Sequence, residues 1–193
     1  MHPVLKVELE RLAEEVRGIS LEEAQVHPQP GQGRWCPQQV IEHLVLSYKM
    51  TTEEIGRQLA KGQPAKRRRG LLEIFLRLQT IGLGVMPHGI PSTPRLKPRT
   101  FDPLSGAELA ERLLAKGEEM DVLLGVARRK FGIQPCGEHS FYGPLRVDEW
   151  RRYHALHARH HLKQLQQAIK FAKGQQSGEI ALKSLKQARV RES

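Results

Sequence analysis

The chain has 193 residues, 39% of them apolar and 27% charged, with a net charge of +10 and two cysteines. A chain of this length buries about two-thirds of its unfolded surface in one core, so it needs no disulfide framework. Cys36 and Cys136 lie far apart and form no C-x-x-C pair, which predicts a reducing, cytoplasmic setting. The opening residues, MHPVLKVELERLAEEV, alternate charged and apolar positions, so no cleaved signal peptide is expected. The most apolar stretch, Leu71 to Met86, is interrupted by Glu73, Arg77, Gln79, Gly82 and Gly84. It falls short of the roughly 20 apolar residues that a membrane span requires.

Residues 3 to 16 place Val4, Leu5, Leu9, Leu12 and Val16 at helical spacing, and Gly18 ends this first helix. A loop containing Pro28, Pro30, Gly31 and Gly33 follows. Trp35-Cys36-Pro37 then announces a second helix, because proline suits the first helical position; its stripe of Val40, Ile41, Leu44, Val45 and Tyr48 carries it to about Lys61. Residues 63 to 104 hold a basic loop, a short helix from Leu71 to Ile81, and a segment with Pro91, Pro94 and Pro98 that excludes a long helix. Ser105 with Glu108 fits a capping box that opens a third helix, Ala107 to about Lys130. Gly132, Pro135, Gly137, Gly143 and Pro144 mark a loop, and a fourth helix runs from about Val147 to Lys173. No strand-period alternation is long enough to build a sheet. The expected fold is therefore all-α, a four-helix bundle with a long crossover between helices 2 and 3, the crossover letting those two helices run parallel. Residues 1 to 174 are expected to form this single domain, with 175 to 193 as a basic polar tail.

The fourth helix carries four of the nine histidines in HALHARHHLKQL, residues 154 to 165. At 100° per residue His157 and His161 share one face, one turn apart, so both imidazoles can reach one ion. His154 and Gln164 share that face, while His160 points to its side. Leu165 and Ile169 border the pair and turn it toward the interior. A third ligand has to come from another helix, and His43, beside Ile41 and Leu44, is the natural candidate. A lone histidine on an apolar face is more often a hydrogen-bonded core residue, so the weight rests on its combination with the pair. The H-E-x-x-H arrangement of metalloproteases is excluded, because Ala158 follows His157 where the glutamate would stand.

Two stretches carry a resemblance to the DinB/YfiT-like superfamily of metal-dependent enzymes. RWCPQQVIEHLVLSY, residues 34 to 48, resembles that family's Trp-Ser/Thr and His-Leu start of helix 2; HSFYGPLRVDEWRRYHALHARHHLKQL, residues 139 to 165, resembles its loop, Glu-Trp and H-x-x-x-H segment. The resemblance implies an up-down-down-up bundle. It also implies a divalent ion (nickel, zinc, manganese or iron) held by three histidines, which map onto His43, His157 and His161. Three protein ligands leave positions open for water or substrate, as at a catalytic site. By the same resemblance the activity is that of a thiol-dependent transferase or a hydrolase, acting on a small molecule with a low-molecular-weight thiol, and a homodimer is implied. This chain departs from the family pattern at Cys36 and Arg146, which stand where Ser or Thr caps a helix; Arg146 moves the expected start of helix 4 to Asp148.

His154, Gln164, His139 and Tyr142 are read as pocket or ligand-supporting residues, and no catalytic residue is assigned. Trp35 and Trp150 are read as core anchors. The alternative function is a non-enzymatic module whose basic 61 to 69 loop, with Lys66, Arg67, Arg68 and Arg69, contacts nucleic acid or an acidic partner. Nucleic acid is the less favoured partner, since Phe75 is the single aromatic near Arg67. A weaker reading joins those cations to Leu71, Leu72, Ile74, Phe75 and Leu76 as a membrane-surface patch.

Overall fold

The computed structural model describes residues 1–28, 34–86, 93–98 and 102–191, with side chains as far as Gln175. Pro30, Gly31, Gly33 and Pro91 of the predicted loops, and the side chains of Lys183, Lys186, Arg189 and Arg191, lie outside the described residues. The chain is mostly helical, consistent with an all-α class.

Helix α1, Pro3–Arg17, buries Leu5, Leu9, Leu12 and Val16 and ends at Gly18. Helix α2, Leu21–Gln25, is one short turn closed by a Ser20–Glu23 capping box, too brief for its periodicity to stand out in the sequence. Helix α3, Pro37–Lys61, starts at the predicted proline, with Gln39 Oε1 accepting the Cys36 N–H at 3.2 Å. Helix α4, Leu71–Arg77, passes into a π-helical turn, Leu78–Gly82, and Pro94–Leu96 form one 3₁₀ turn. The Ser105–Glu108 capping box opens helix α5, Gly106–Phe131.

Two features differ from expectation. The loop after α5 contains an antiparallel hairpin, β1 (Gly137–His139) with β2 (Gly143–Leu145), in which Gly137 lies opposite Leu145 and His139 opposite Gly143. Each strand is three residues long, below what alternation can reveal, and Gly143 at φ +67° supplies the left-handed turn position. The last helix, α6, starts at Val147, not Asp148, and runs on past the expected stop near Lys173 to Arg191. At its start Glu149 Oε2 accepts the Arg146 N–H at 2.8 Å, the half of a capping box that needs no hydroxyl at residue 146. At its far end Gly174 stays helical, which costs only about 1 kcal/mol against alanine.

Helix α1 packs on α5 and α6, and α3 packs on α5 and α6, around one core containing Leu9, Leu12, Ile41, Leu44, Leu113, Leu124 and Leu165. Two close approaches need glycine. A Cβ on Gly106 would collide with the backbone carbonyls of Val16 and Ile19, and one on Gly117 would collide with Leu9. Among the described residues no helix is long and apolar enough to cross a membrane.

Helix α4 is inverted in polarity. Leu71, Leu72, Ile74 and Phe75, and Leu78 just beyond it, are exposed, Leu71 at 88%, while Glu73 and Arg77 turn inward. Arg77, Arg69 and Arg146 converge on the buried Glu149 carboxylate, and Arg67 bridges Glu73 at 2.6 Å and Glu138 at 3.0 Å. Burial works to raise the Glu149 carboxyl, but the Arg146 N–H and the Arg77 and Arg146 guanidinium groups outweigh it and hold it below its ordinary range. Two of the four cations in the basic run are therefore spent on holding α4 to the hairpin and to α6.

Candidate metal centre

Helix α3 contributes His43 and helix α6 contributes His157 and His161, all three buried. One ring nitrogen from each lies within 4.8 Å of the other two. His43 Nε2 and His161 Nε2 each stand 3.1 Å from His157 Nε2. The predicted pair and the predicted third histidine are thus brought together, 114 positions apart in the chain.

The outer hydrogen bonds set the tautomers of two rings. His43 Nδ1 lies 2.8 Å from the Leu96 carbonyl, which can only accept, so Nδ1 carries the proton and Nε2 presents its lone pair. His161 Nδ1 likewise donates to Gln164 Oε1 at 2.8 Å, leaving its Nε2 as a lone pair. Burial is the main force keeping the rings neutral. It lowers His43 below its ordinary value, pushes His161 down to about 3, and, reinforced by its two neighbours, holds His157 well below. His157 Nδ1 is buried without a hydrogen-bond partner among the described residues.

Protons alone satisfy this cluster badly. Both flanking Nε2 atoms need a donor, and a neutral His157 can supply one proton at most. A divalent cation suits three converging imidazole lone pairs, and ligands about 2.1 Å from a common ion at 90° to 110° stand about 3.0 to 3.4 Å apart, close to the 3.1 Å of two of the three pairs, the whole set lying within 4.8 Å. Leu96 O and Gln164 are then the outer acceptors that orient metal-bound imidazoles.

The remaining predicted residues fall in different places. Gln164 supports His161 directly. His154 is fully buried one turn before His157, but its Nε2 pairs with Thr51 Oγ1 at 2.9 Å rather than joining the cluster. His139 is half-buried in the hairpin, ringed by Tyr142, Tyr153 and Trp150 at 4.5, 4.6 and 5.4 Å between ring centroids. Burial takes it down to about 3. Tyr142 is buried and donates to Thr80 Oγ1 at 3.4 Å. Three contributors went unrecognised in the sequence: the Leu96 carbonyl, Trp35, whose ring lies 4.8 Å from His43, and Tyr153, stacked at 5.5 Å on His157. Tyr153 sits at i−4 from His157, a spacing that could have revealed it; a backbone carbonyl leaves no such signal.

Fold and site together define a mostly helical protein with a buried three-histidine centre suited to a divalent metal ion. The sequence profile of the DinB superfamily matches residues 5–165, and the chain belongs to that superfamily. No curated protein and no solved structure matches the chain.

Proposed function

We propose that this protein is a metal-dependent enzyme whose single divalent ion is held by the Nε2 atoms of His43, His157 and His161. The observation that carries the reading is the pair of outer hydrogen bonds, from His43 to Leu96 O and from His161 to Gln164, which aim two lone pairs at His157 Nε2. The four long helices are read as an up-down-down-up bundle, α1, α3, α5 and α6, with residues 63 to 104 as the crossover. The most favoured activity is a thiol-dependent transferase or hydrolase reaction on a small molecule.

A divalent ion bound there supplies Lewis acidity, lowering the pKa of a coordinated water or thiol toward neutrality. The chain's own contribution is preorganisation. Burial keeps three imidazoles neutral and available, Leu96 O and Gln164 hold two rings in their tautomers, and Trp35 covers His43. Three protein ligands leave room for water or substrate. The basic-loop alternative has less behind it, since Arg67 and Arg69 are engaged by Glu73, Glu138 and Glu149. The exposed apolar face of α4 offers a surface for the homodimer.

Elemental analysis by plasma mass spectrometry on untagged protein tests the reading. About one nickel, zinc, manganese or iron per chain is expected, lost in His157→Ala and retained in His160→Ala. Stoichiometric metal that survives His157→Ala, or no uptake of any of the four ions, refutes it.

A further inference from the structure

Helix α4 and the π-helical turn after it form one helical run with its apolar side turned to solvent. Leu71, Ile74, Phe75 and Leu78, at i, i+3, i+4 and i+7, share a stripe about 100° wide, and all four are exposed, Phe75 at 63%. Leu72 borders the stripe, and Leu83 and Val85 continue the exposed apolar surface past the turn. The opposite side is pinned by polar contacts. Glu73 accepts from Arg67 and, at 2.8 Å, from the Gly70 N–H; Arg77 is held by Glu149; and Tyr142 donates to the buried Thr80 Oγ1. These contacts hold the leucines outward.

Charge gives this face a direction. From Lys61 to Met86 the chain carries six cations, Lys61, Lys66, Arg67, Arg68, Arg69 and Arg77, against one carboxylate, Glu73. Arg67, Arg69 and Arg77 are engaged by Glu73, Glu138 and Glu149. Lys66 and Arg68 are exposed and form no ion pair among the described residues. Arg68 stands three residues before Leu71 and Lys66 five, a backbone reach of at most about 11 and 18 Å. At the other end the exposed Arg152 of α6 donates to the Gly82 carbonyl at 2.9 Å, an acceptor that leaves its positive charge uncompensated. Cations therefore stand at both ends of the apolar stripe, while the segment's carboxylate faces away from it.

An apolar stripe bracketed by uncompensated cations matches an anionic bilayer surface, where leucine and phenylalanine enter the acyl boundary and Lys and Arg meet the headgroups. A second copy of the chain matches it less well, because a two-fold pairing lays the patch against itself and brings Lys66, Arg68 and Arg152 toward their own counterparts. We propose that α4 is a membrane-surface anchor that rests on, without crossing, a bilayer containing anionic lipid. Attachment there neither needs nor excludes the metal ion.

Cosedimentation of the full chain with phosphatidylcholine vesicles, with and without about one-third phosphatidylserine, is the test. Binding to the mixed vesicles and not to pure phosphatidylcholine is expected, a comparison that requires no variant. Arg68→Gln is expected to weaken binding about fivefold, the usual share of one surface cation. Leu71→Ser combined with Phe75→Ser, both at exposed positions that the core does not use, is expected to weaken it at least about tenfold. Val122→Ser, at an exposed apolar position of α5, is expected to leave it unchanged. No binding to the mixed vesicles, equal binding to both kinds, or binding that survives the double change at Leu71 and Phe75 overturns the proposal. Sedimentation velocity on the same proteins covers the other occupant: a dimer that the double change dissociates, with no vesicle binding, overturns the anchor and assigns the face to a second copy.

Discussion

Acidifying the metal-free protein from pH 7 to pH 5 will destabilise it, and His154 contributes a calculable share. Its imidazole is fully buried, bonded to Thr51 and packed among Tyr48, Trp150 and Tyr153. Burial, assisted by the nearby His139, pushes its pKa down to about 3, against 6.5 for the free group. Between those values the unfolded chain binds a proton that the folded chain refuses. Stability is therefore full above 6.5, falls as pH drops from 6.5 toward 3, and levels off below 3. Integrated from pH 7 to pH 5, one such group removes about 2 kcal/mol. Urea unfolding followed by circular dichroism at pH 7, 6 and 5, in EDTA, measures this in the wild type and in His154→Phe. The substitution leaves Thr51 without its partner at every pH, so its constant cost cancels in the slope. The variant is expected to lose about 2 kcal/mol less than the wild type across this range. Equal pH dependence in the two proteins would refute the assignment of a suppressed proton to His154.

Three further outcomes follow from packing. Glu149→Ala leaves Arg69 and Arg77, both mostly covered, facing each other without their shared carboxylate, and is expected to cost about 3 kcal/mol in thermal or urea unfolding. Gly106→Ala drives a methyl into the Val16 and Ile19 carbonyls and is expected to cost about 2 kcal/mol by the same assays, whereas Gly125→Ala, in open helix, is expected to gain up to about 1 kcal/mol.

The helices were legible because their signals are local. Pro37 at the head of α3, the Ser105–Glu108 box at the head of α5, and the leucine spacing of α1 act within a turn or two of the residues that display them. His157 and His161 were legible as a pair for the same reason. Features made by distant contacts were hidden. The hairpin depends on pairing two three-residue strands, each bearing one glycine, and the inward face of α4 depends on Glu149, found 72 residues beyond Arg77. His139 looks like a loop residue until Tyr142, Tyr153 and Trp150 close around it. The continuation of α6 past Lys173 has no local signal of its own: Gly174 interrupts the pattern there, yet one glycine lacks the energy to end a helix.

The three histidines of the cluster arrive by two routes. His157 and His161 become neighbours as soon as one turn of α6 winds, whereas His43 reaches them only when α3 has docked across the core. A helical but unassembled chain thus offers a two-toothed claw, and the native chain a three-toothed one. An ion able to tell two teeth from three would favour the docked state over every looser one, so its uptake would count natively assembled molecules rather than helical ones.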